Sequence, residues 1–501
     1  MSERLTFGYG TSGGAGDAVP SAPARGAAAH GSGDLGAPRS DSIAGSNGAD
    51  ARPEERERRD WAFIGLMTFT AILFFRPQDT LPVLDGLHLA ELSAIAALLA
   101  MGIGRLGRGQ TLSRYTPELG GVVALGAVIL ASAPFSIWMG GAIGTFTDLY
   151  VKIILIFVLM VNTLKSPKRV DRFVWLIVLA TGYLAFRAVF DYARGVNLVE
   201  NGRVQGAVSG MFGNPNDLAL NMVVVIPLAA SLAMREAKTI RRLAAALCGV
   251  LMIGAVVASQ SRGGTIGLAV MLLILFVSVA RRKPAFAAIA ALLLLLALPT
   301  IPSSYWQRVS SITDDSLDAT GSRTTRRTLL TESYRAFLQH PLTGVGAGQF
   351  KNYDPQGRDQ AWHESHNVML QVAAELGIFG LAIFLFLLAR AGTANAQARR
   401  LLRKAGALAG RRRKAHPASQ NGPISAAESD WVQAHGSAML ASLAGWFCCA
   451  LFASVAYNWT FYYLLALAAA PREILLDRLA AVGRPRVAPA AATARLEQVR
   501  A

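Results

Sequence analysis

From Trp61 onward the apolar residues run in long unbroken blocks, separated by short polar or basic stretches. AFAAIAALLLLLALPTIP, from Ala285 to Pro302, is one such block. Strands of a soluble sheet alternate with period two, and surface helices carry one apolar stripe. A block with no polar face instead suits a helix whose solvent is lipid, since about 20 apolar residues cross a hydrocarbon core of ~30 Å. The pattern predicts spans near 61–75, 87–104, 119–138, 149–164, 170–190, 214–234, 243–259, 264–280, 285–301, 366–389, 437–455 and 457–471. The expected fold is all-α: a polytopic membrane helix bundle of about twelve transmembrane helices, with a large periplasmic loop between helices 9 and 10.

Composition agrees with this pattern. Apolar residues make up 52% of the 501 and charged residues 16%, too few to coat a soluble protein of this size. The net charge of +17 raises nucleic acid as a partner, but the cations sit in alternate short loops: Arg105, Arg108 and Arg114; Lys165, Lys168, Arg169 and Arg172; Arg235, Lys238, Arg241 and Arg242; Arg281, Arg282 and Lys283. That is the positive-inside bias of an inner-membrane protein, so membrane lipids and not nucleic acid are the expected surroundings.

The same bias puts both ends in the cytoplasm. Residues 1–60, rich in Gly, Ala and Ser with no apolar signal segment in the first fifty, are expected as a disordered cytoplasmic tail. Transmembrane helices 1–9 then occupy 61–301, and the periplasmic loop 302–365. Helices 10–12 occupy 366–471 and include a basic cytoplasmic loop at 390–436, with a second tail at 472–501. Cys248, Cys448 and Cys449 all fall in spans and read as apolar fillers.

The long loop carries TLLTESYRAFLQHP, which sets Leu330, Tyr334, Phe337 and Leu338 at helical spacing. This predicts an amphipathic helix that either lies on the membrane or packs within the loop. Pro341 stops it, and Gly344, Gly346 and Gly348 suggest a flexible turn before the next span.

The outward loops hold the chemically suggestive residues. They carry Arg194 and Arg203, GNPND at Gly213 to Asp217, Arg262 in SQSRGG, Arg323, Arg326 and Arg327, and HESHN at His363 to Asn367. Arginines on the outer side run against the insertion bias, and a guanidinium fork matches the paired oxygens of a phosphate ester, so an anionic headgroup such as a pyrophosphate is the expected ligand. The bland alternative is that they anchor helix ends to lipid phosphates, the reading that suits Arg76 in the first outer turn.

His363 and His366 share a face if the tenth span begins in their segment, and one of them can serve as a base near neutral pH. As a metal pair they lack Asp or Cys partners at matching positions, so no metal is expected. Asn214, Pro215 and Asp217 read first as a helix start, and second as a phosphate-binding N-terminus.

With these residues in place the chain resembles the O-antigen ligase and O-antigen polymerase superfamily of bacterial membrane glycosyltransferases. The motifs that carry the likeness are RVQGAVSGMFGNPNDLAL at 203–220, SQSRGGTIGL at 259–268, SRTTRRTLLTESYRAFLQHPLTGVGAGQF at 322–350 and HESHNVMLQVAAELGIFGL at 363–381. The resemblance implies transfer of a glycan from an undecaprenyl pyrophosphate carrier to a lipid or glycan acceptor hydroxyl at the periplasmic face, without cofactor or metal.

It further implies His366 as the catalytic base or acceptor-orienting residue and Arg203 and Arg262 as holders of the pyrophosphate. Arg323 matches the family's arginine at the head of the long-loop helix and His363 matches less strictly, below His366; Asn214 and Asn367 are further candidate substrate-binding positions. The chain departs from the family pattern at TTRRTLL, where an aromatic residue often follows the arginine, and in the 1–60 and 390–436 segments. A ligase is the first expectation and a repeat-unit polymerase for O-antigen, capsule or exopolysaccharide the second. An anion transporter and a non-catalytic assembly subunit are the competing classes. A transporter needs ionisable groups near the midplane, where Arg187 is the main example.

Overall fold

A computed structural model describes residues 60–199, 202–310, 322–415 and 424–483. The tail expected at 1–60 lies outside them save for Asp60, as does the end of the chain beyond 483. Sixteen α-helices account for most of the described residues: α1 Trp61–Phe75, α2 Pro77–Thr80, α3 Leu89–Leu106, α4 Pro117–Ser132, α5 Met139–Gly144, α6 Val151–Thr163, α7 Pro167–Ala193 and α8 Pro215–Arg235. Then follow α9 Thr239–Ser259, α10 Arg262–Ala280, α11 Pro284–Ala297, α12 Ser303–Ser310, α13 Ser322–Gln339, α14 Val368–Ala415, α15 Ala426–Ala450 and α16 Trp459–Gly483. A two-stranded antiparallel hairpin, β1 Leu198–Val199 with β2 Arg203–Val204, lies between α7 and α8.

The helix starts follow from local chemistry. Thr116, Ser166 and Asn214 each cap the following helix with a side-chain oxygen, and each is followed by a proline whose missing N–H costs nothing in the first turn. Ser261 caps α10 and Ser425 caps α15 in the same way, without the proline.

Eight helical segments are long and apolar enough to cross a membrane, or nine if the pair α11 and α12, bent by 98°, counts as one. The chain is thus a multi-pass membrane protein. Every predicted span falls largely on helix, but α1 is only 15 residues long, and α15 and α16 do not meet the same test of length and apolarity. Three stretches expected to be irregular are helical. Gly140–Asp148 joins α5 to α6 through a π-helical turn at Thr145–Tyr150, α14 continues through 390–415, and α16 runs on past residue 471.

α8 is the centre of the bundle, with 83% of its most apolar stretch buried against 11% for α3 at the rim. It packs on α7, α9, α10 and α15. Small residues permit this. A methyl group on Gly264 would meet the Ala219 Cβ at 2.5 Å, and one on Gly267 would sit 2.3 Å from the Cys449 sulfur, so α8, α10 and α15 approach backbone to backbone. Cys248 and Cys449 are buried thiols filling gaps beside glycines.

The expected loop helix exists as α13, but another face packs. Leu329 and Ala336 are fully buried against Val345, Phe350 and Ala374, whereas Tyr334 and Leu338 are 52% and 56% exposed. The reason is polar: Glu332 on the inward face forms a buried ion pair with Arg358 at 2.9 Å. Arg358 also donates to the Phe350, Tyr353 and Gln360 carbonyls and lies over the Phe350 ring, so its charge is fully engaged.

Nor is the glycine turn flexible. α14 breaks at Gly377 (φ 64°), which removes the intrahelical donors of the Ala374 and Glu375 carbonyls. The amides of Val345 and Gly346 replace them at 2.9 and 3.0 Å, and Ile378 N–H donates in return to the Pro341 carbonyl. Gly346 at φ 106° adopts a backbone that L side chains rarely take, and so fixes the turn onto the break.

Candidate functional site

The residues singled out above lie on three elements at one end of α8, α10 and α15. Arg203 comes from β2, is buried, and reaches under the helix starts. Its Nε donates to the Ser259 carbonyl at 3.2 Å and its Nη2 to Asn216 Oδ1 at 2.9 Å. Asn216 Oδ1 also accepts from the Ser261 hydroxyl at 2.8 Å. One side-chain amide therefore ties the hairpin to the first turns of α8 and α10. Arg262 is the first residue of α10, directly after the capping Ser261.

The third element is the HESHN segment. Contrary to expectation it is not helical, because α14 begins only at Val368. Asn367 caps it by accepting from the Met369 and Leu370 amides at 3.0 and 3.1 Å. His363 and His366 therefore do not share a helix face. His366 has φ 48°, a left-handed backbone uncommon for a non-glycine residue. What holds it there is the turn between α15 and α16. Ser454 Oγ accepts from the His366 amide at 2.9 Å and meets the Ser365 hydroxyl at 3.2 Å, while Asn367 Nδ2 donates to the Leu451 carbonyl at 3.2 Å.

The same turn touches α10, where a methyl group on Gly263 would meet Phe452 at 3.0 Å and the Cys449 thiol reaches the Gly263 carbonyl. Hydrogen bonds and packing thus join HESHN, through residues 449–454, to the start of α10 and from there through Asn216 to Arg203.

The charges tell the same story. Glu364 interacts with Asp217 in the first turn of α8 and hydrogen-bonds Ser454, so HESHN borders the α8 start as well as the α10 start. The surrounding protein mass pushes the Glu364 carboxyl above its ordinary range, against an opposing pull from Lys351. His366 is partly buried. That burial first, then the nearby Arg326 and His363, hold its imidazole pKa at about 4, so the ring is neutral at pH 7. His363 is exposed and its Nδ1 lies 3.0 Å from the Ala361 carbonyl.

Asn214 acts as the cap of α8, its Oδ1 accepting from the Asn216 and Asp217 amides at 2.9 Å. The Arg323 side chain lies outside the described residues. Among the described residues no group of three or more His, Cys, Asp and Glu side chains is placed to hold a metal ion.

Arg76 is more than an interfacial anchor. It pairs with Asp79 at 2.8 Å, and Asp79 accepts from the Ser209 amide and hydroxyl, fastening the first turn to the segment that precedes GNPND. These bonds lower the Asp79 pKa against the opposing effect of its burial.

Sequence reasoning gave no special place to Asn216, Ser454 or Arg326. Asn216 looked like one more residue of a helix start, and Ser454 lies in an apolar region with no motif. Arg326 was one of three neighbouring arginines, and the apolar spacing pointed to the wrong face of its helix.

Residues 247–385 match the family model described as O-antigen ligase, a stretch that contains Arg262, His363, His366 and Asn367 but ends short of Ser454 and begins after Arg203 and Asn214. The resemblance carried by the motifs is borne out over these residues. No curated protein matches the chain.

Proposed function

We propose that this membrane protein of the O-antigen ligase superfamily transfers a glycan from an undecaprenyl pyrophosphate carrier to an acceptor hydroxyl at the periplasmic face of the bacterial inner membrane. The observation that carries the reading is the linkage of Arg203, the Arg262 turn and the HESHN segment through Asn216 and the 449–454 turn. A diphosphate needs rigid donors from several directions, and these elements approach one another at the same end of the bundle.

In the proposed step an acceptor hydroxyl attacks the anomeric carbon as the bond from that carbon to the pyrophosphate oxygen breaks. The bonding pair leaves with the pyrophosphate, and the hydroxyl proton passes to His366. Configuration inverts. Arg203 and Arg262 stabilise the charge growing on the leaving group, a contribution on the order of 3 kcal/mol, or about a hundredfold in rate, for a preorganised donor in a dehydrated site.

A neutral imidazole at pH 7 is ready to accept a proton, but a pKa near 4 makes it a weak base in the free protein. The bound donor acts on the smaller part of that handicap, since burial is the larger cause and stays in place. Its negative charge beside Arg326 and His366 offsets the cationic neighbour and raises the imidazole pKa when a proton must be taken. Residues 1–60 and the end of the chain enter no step.

The ligase reading is preferred over a repeat-unit polymerase on the family description alone. The test is transfer of a lipid-linked glycan by purified Arg262→Ala and His366→Ala proteins that insert normally. Losses of about a hundredfold each are expected. Wild-type turnover in both removes the assignment, and glycan-independent anion flux in proteoliposomes replaces it with a transporter.

A further inference from the structure

The helices that carry the candidate site at one end enclose a cavity at the other. α8 has 21 residues, so its ends lie about 30 Å apart, one hydrocarbon thickness. Between the far ends of α8, α10 and α15 lies a cavity of about 710 Å³, within the range of small-ligand sites. Away from the helix ends its wall sets the apolar Pro227, Leu275 and Val279 beside the hydroxyls of Ser231, Ser278 and Ser437. Its rim is ionic where the helices end, with Arg282 and Lys283 just beyond α10 and Asp430 in the first turns of α15.

One side of the rim is preset. Asp171 accepts both Arg235 nitrogens at 2.8 and 3.0 Å and the Trp431 indole N–H at 2.9 Å, so Arg235 and Trp431 form a fixed wall whose charge Asp171 balances. Lys283 folds back to the Met234 carbonyl at 3.2 Å, and Arg282 lies within electrostatic reach of both Arg399 and Asp430. A partly apolar slot under a rim bearing both signs of charge fits an amphiphile whose polar end also bears both signs.

We propose that this cavity seats a phospholipid with a phosphoethanolamine headgroup, its phosphate on Arg282 and Lys283, its ammonium on Asp430 and its first methylenes along Pro227, Leu275 and Val279. A phosphoglycerol headgroup offers Asp430 no positive charge. A phosphocholine headgroup offers one without an N–H to donate to Asp430 or to the neighbouring Gln433. The site is remote from the transfer chemistry and does not depend on that reading.

The test uses the full chain, delipidated in detergent and exposed to phosphatidylethanolamine, phosphatidylglycerol or phosphatidylcholine at equal mole fraction, with bound lipid counted by native mass spectrometry. Phosphatidylethanolamine is expected to bind about tenfold more tightly than either competitor, the scale of one charge-assisted hydrogen bond. Asp430→Asn should erase that preference while Asp430→Glu retains it, and Arg282→Ala with Lys283→Ala should weaken retention of all three lipids. Soluble phosphoethanolamine at millimolar concentration should fail to displace the lipid, since it lacks the apolar part. Equal or tighter binding of phosphatidylglycerol overturns the proposal, as does an unchanged preference in Asp430→Asn or displacement by the free headgroup. A melting curve on each variant identifies any that fails to fold, and Asp430→Glu then carries the test.

Discussion

Arg472 and Arg203, at opposite ends of the bundle, meet different acceptors. At the end remote from HESHN, guanidinium groups meet carboxylates. Arg472 makes a bidentate pair with buried Glu118 at 2.6 and 2.7 Å, Arg390 joins the same carboxylate at 2.9 Å, and Arg114 pairs with Glu473 and Asp477. At the HESHN end, where Arg76 and Arg358 also meet carboxylates, Arg203 donates to the Ser259 carbonyl and the Asn216 side-chain amide. A carboxylate pairs with a guanidinium through charge, whereas an amide or carbonyl oxygen chiefly orients it. The first arrangement ties α4, α14 and α16 together. The second ties the hairpin to the starts of α8 and α10 and holds the guanidinium in one orientation.

The strongest way to break this comparison is to remove the carboxylate. Glu118→Ala leaves two guanidinium groups without their shared partner in a buried site, and should cost about 3–5 kcal/mol of stability. Thermal unfolding in detergent reads it, and a wild-type melting temperature would show that the cluster does not hold the helices. Arg203→Lys asks the converse question, keeping the charge while losing the planar fork. Transfer is expected to fall about a hundredfold with little change in melting temperature. An equal loss of stability would make Arg203 a structural residue like Arg472.

The third measurement is the pH profile. With the His366 pKa at about 4 in the free protein, kcat/KM should stay flat from pH 7 to pH 5 and fall as pH drops through about 4. The kcat limb should lie at higher pH, because the bound anionic donor favours the imidazolium. Stability carries the matching sign. The unfolded imidazole, near 6.5, takes up its proton before the folded one does, so the His366 share of stability is full above pH 6.5 and is lost towards pH 4. A kcat/KM limb near 6.5 would mean that His366 is not held as described.

The smallest effect sharpens the comparison within the HESHN end. Ser454→Ala removes the acceptor of the His366 amide and should cost about 1 kcal/mol. Transfer should drop about fivefold through misplacement of the ring, with the acid limb of kcat/KM shifted. A variant with lowered stability but unaltered turnover and pH profile would reduce Ser454 to a packing residue.

Much of this was legible in the chain itself. The apolar blocks place the helices because a backbone in lipid must satisfy its own hydrogen bonds, a demand that needs no knowledge of neighbours. The caps at Thr116, Ser166 and Asn214 are equally local, and the motifs around Arg203, Arg262 and His366 mark the candidate chemistry. The errors share a cause. The inward face of α13 was missed because its decisive contact, Glu332 with Arg358, spans two elements and reverses the usual rule that charge faces outward. HESHN was expected to enter a helix, and the turn after Pro341 to be flexible. In both cases distant partners decide: Ser454 holds the left-handed His366, and the broken α14 binds the glycine amides. An all-helical membrane protein and its candidate site residues follow from the sequence, since lipid solvation and capping are local physics. Which acceptor each guanidinium meets depends on partners distant in sequence, so the different packing roles of Arg472 and Arg203 emerge only in the folded chain.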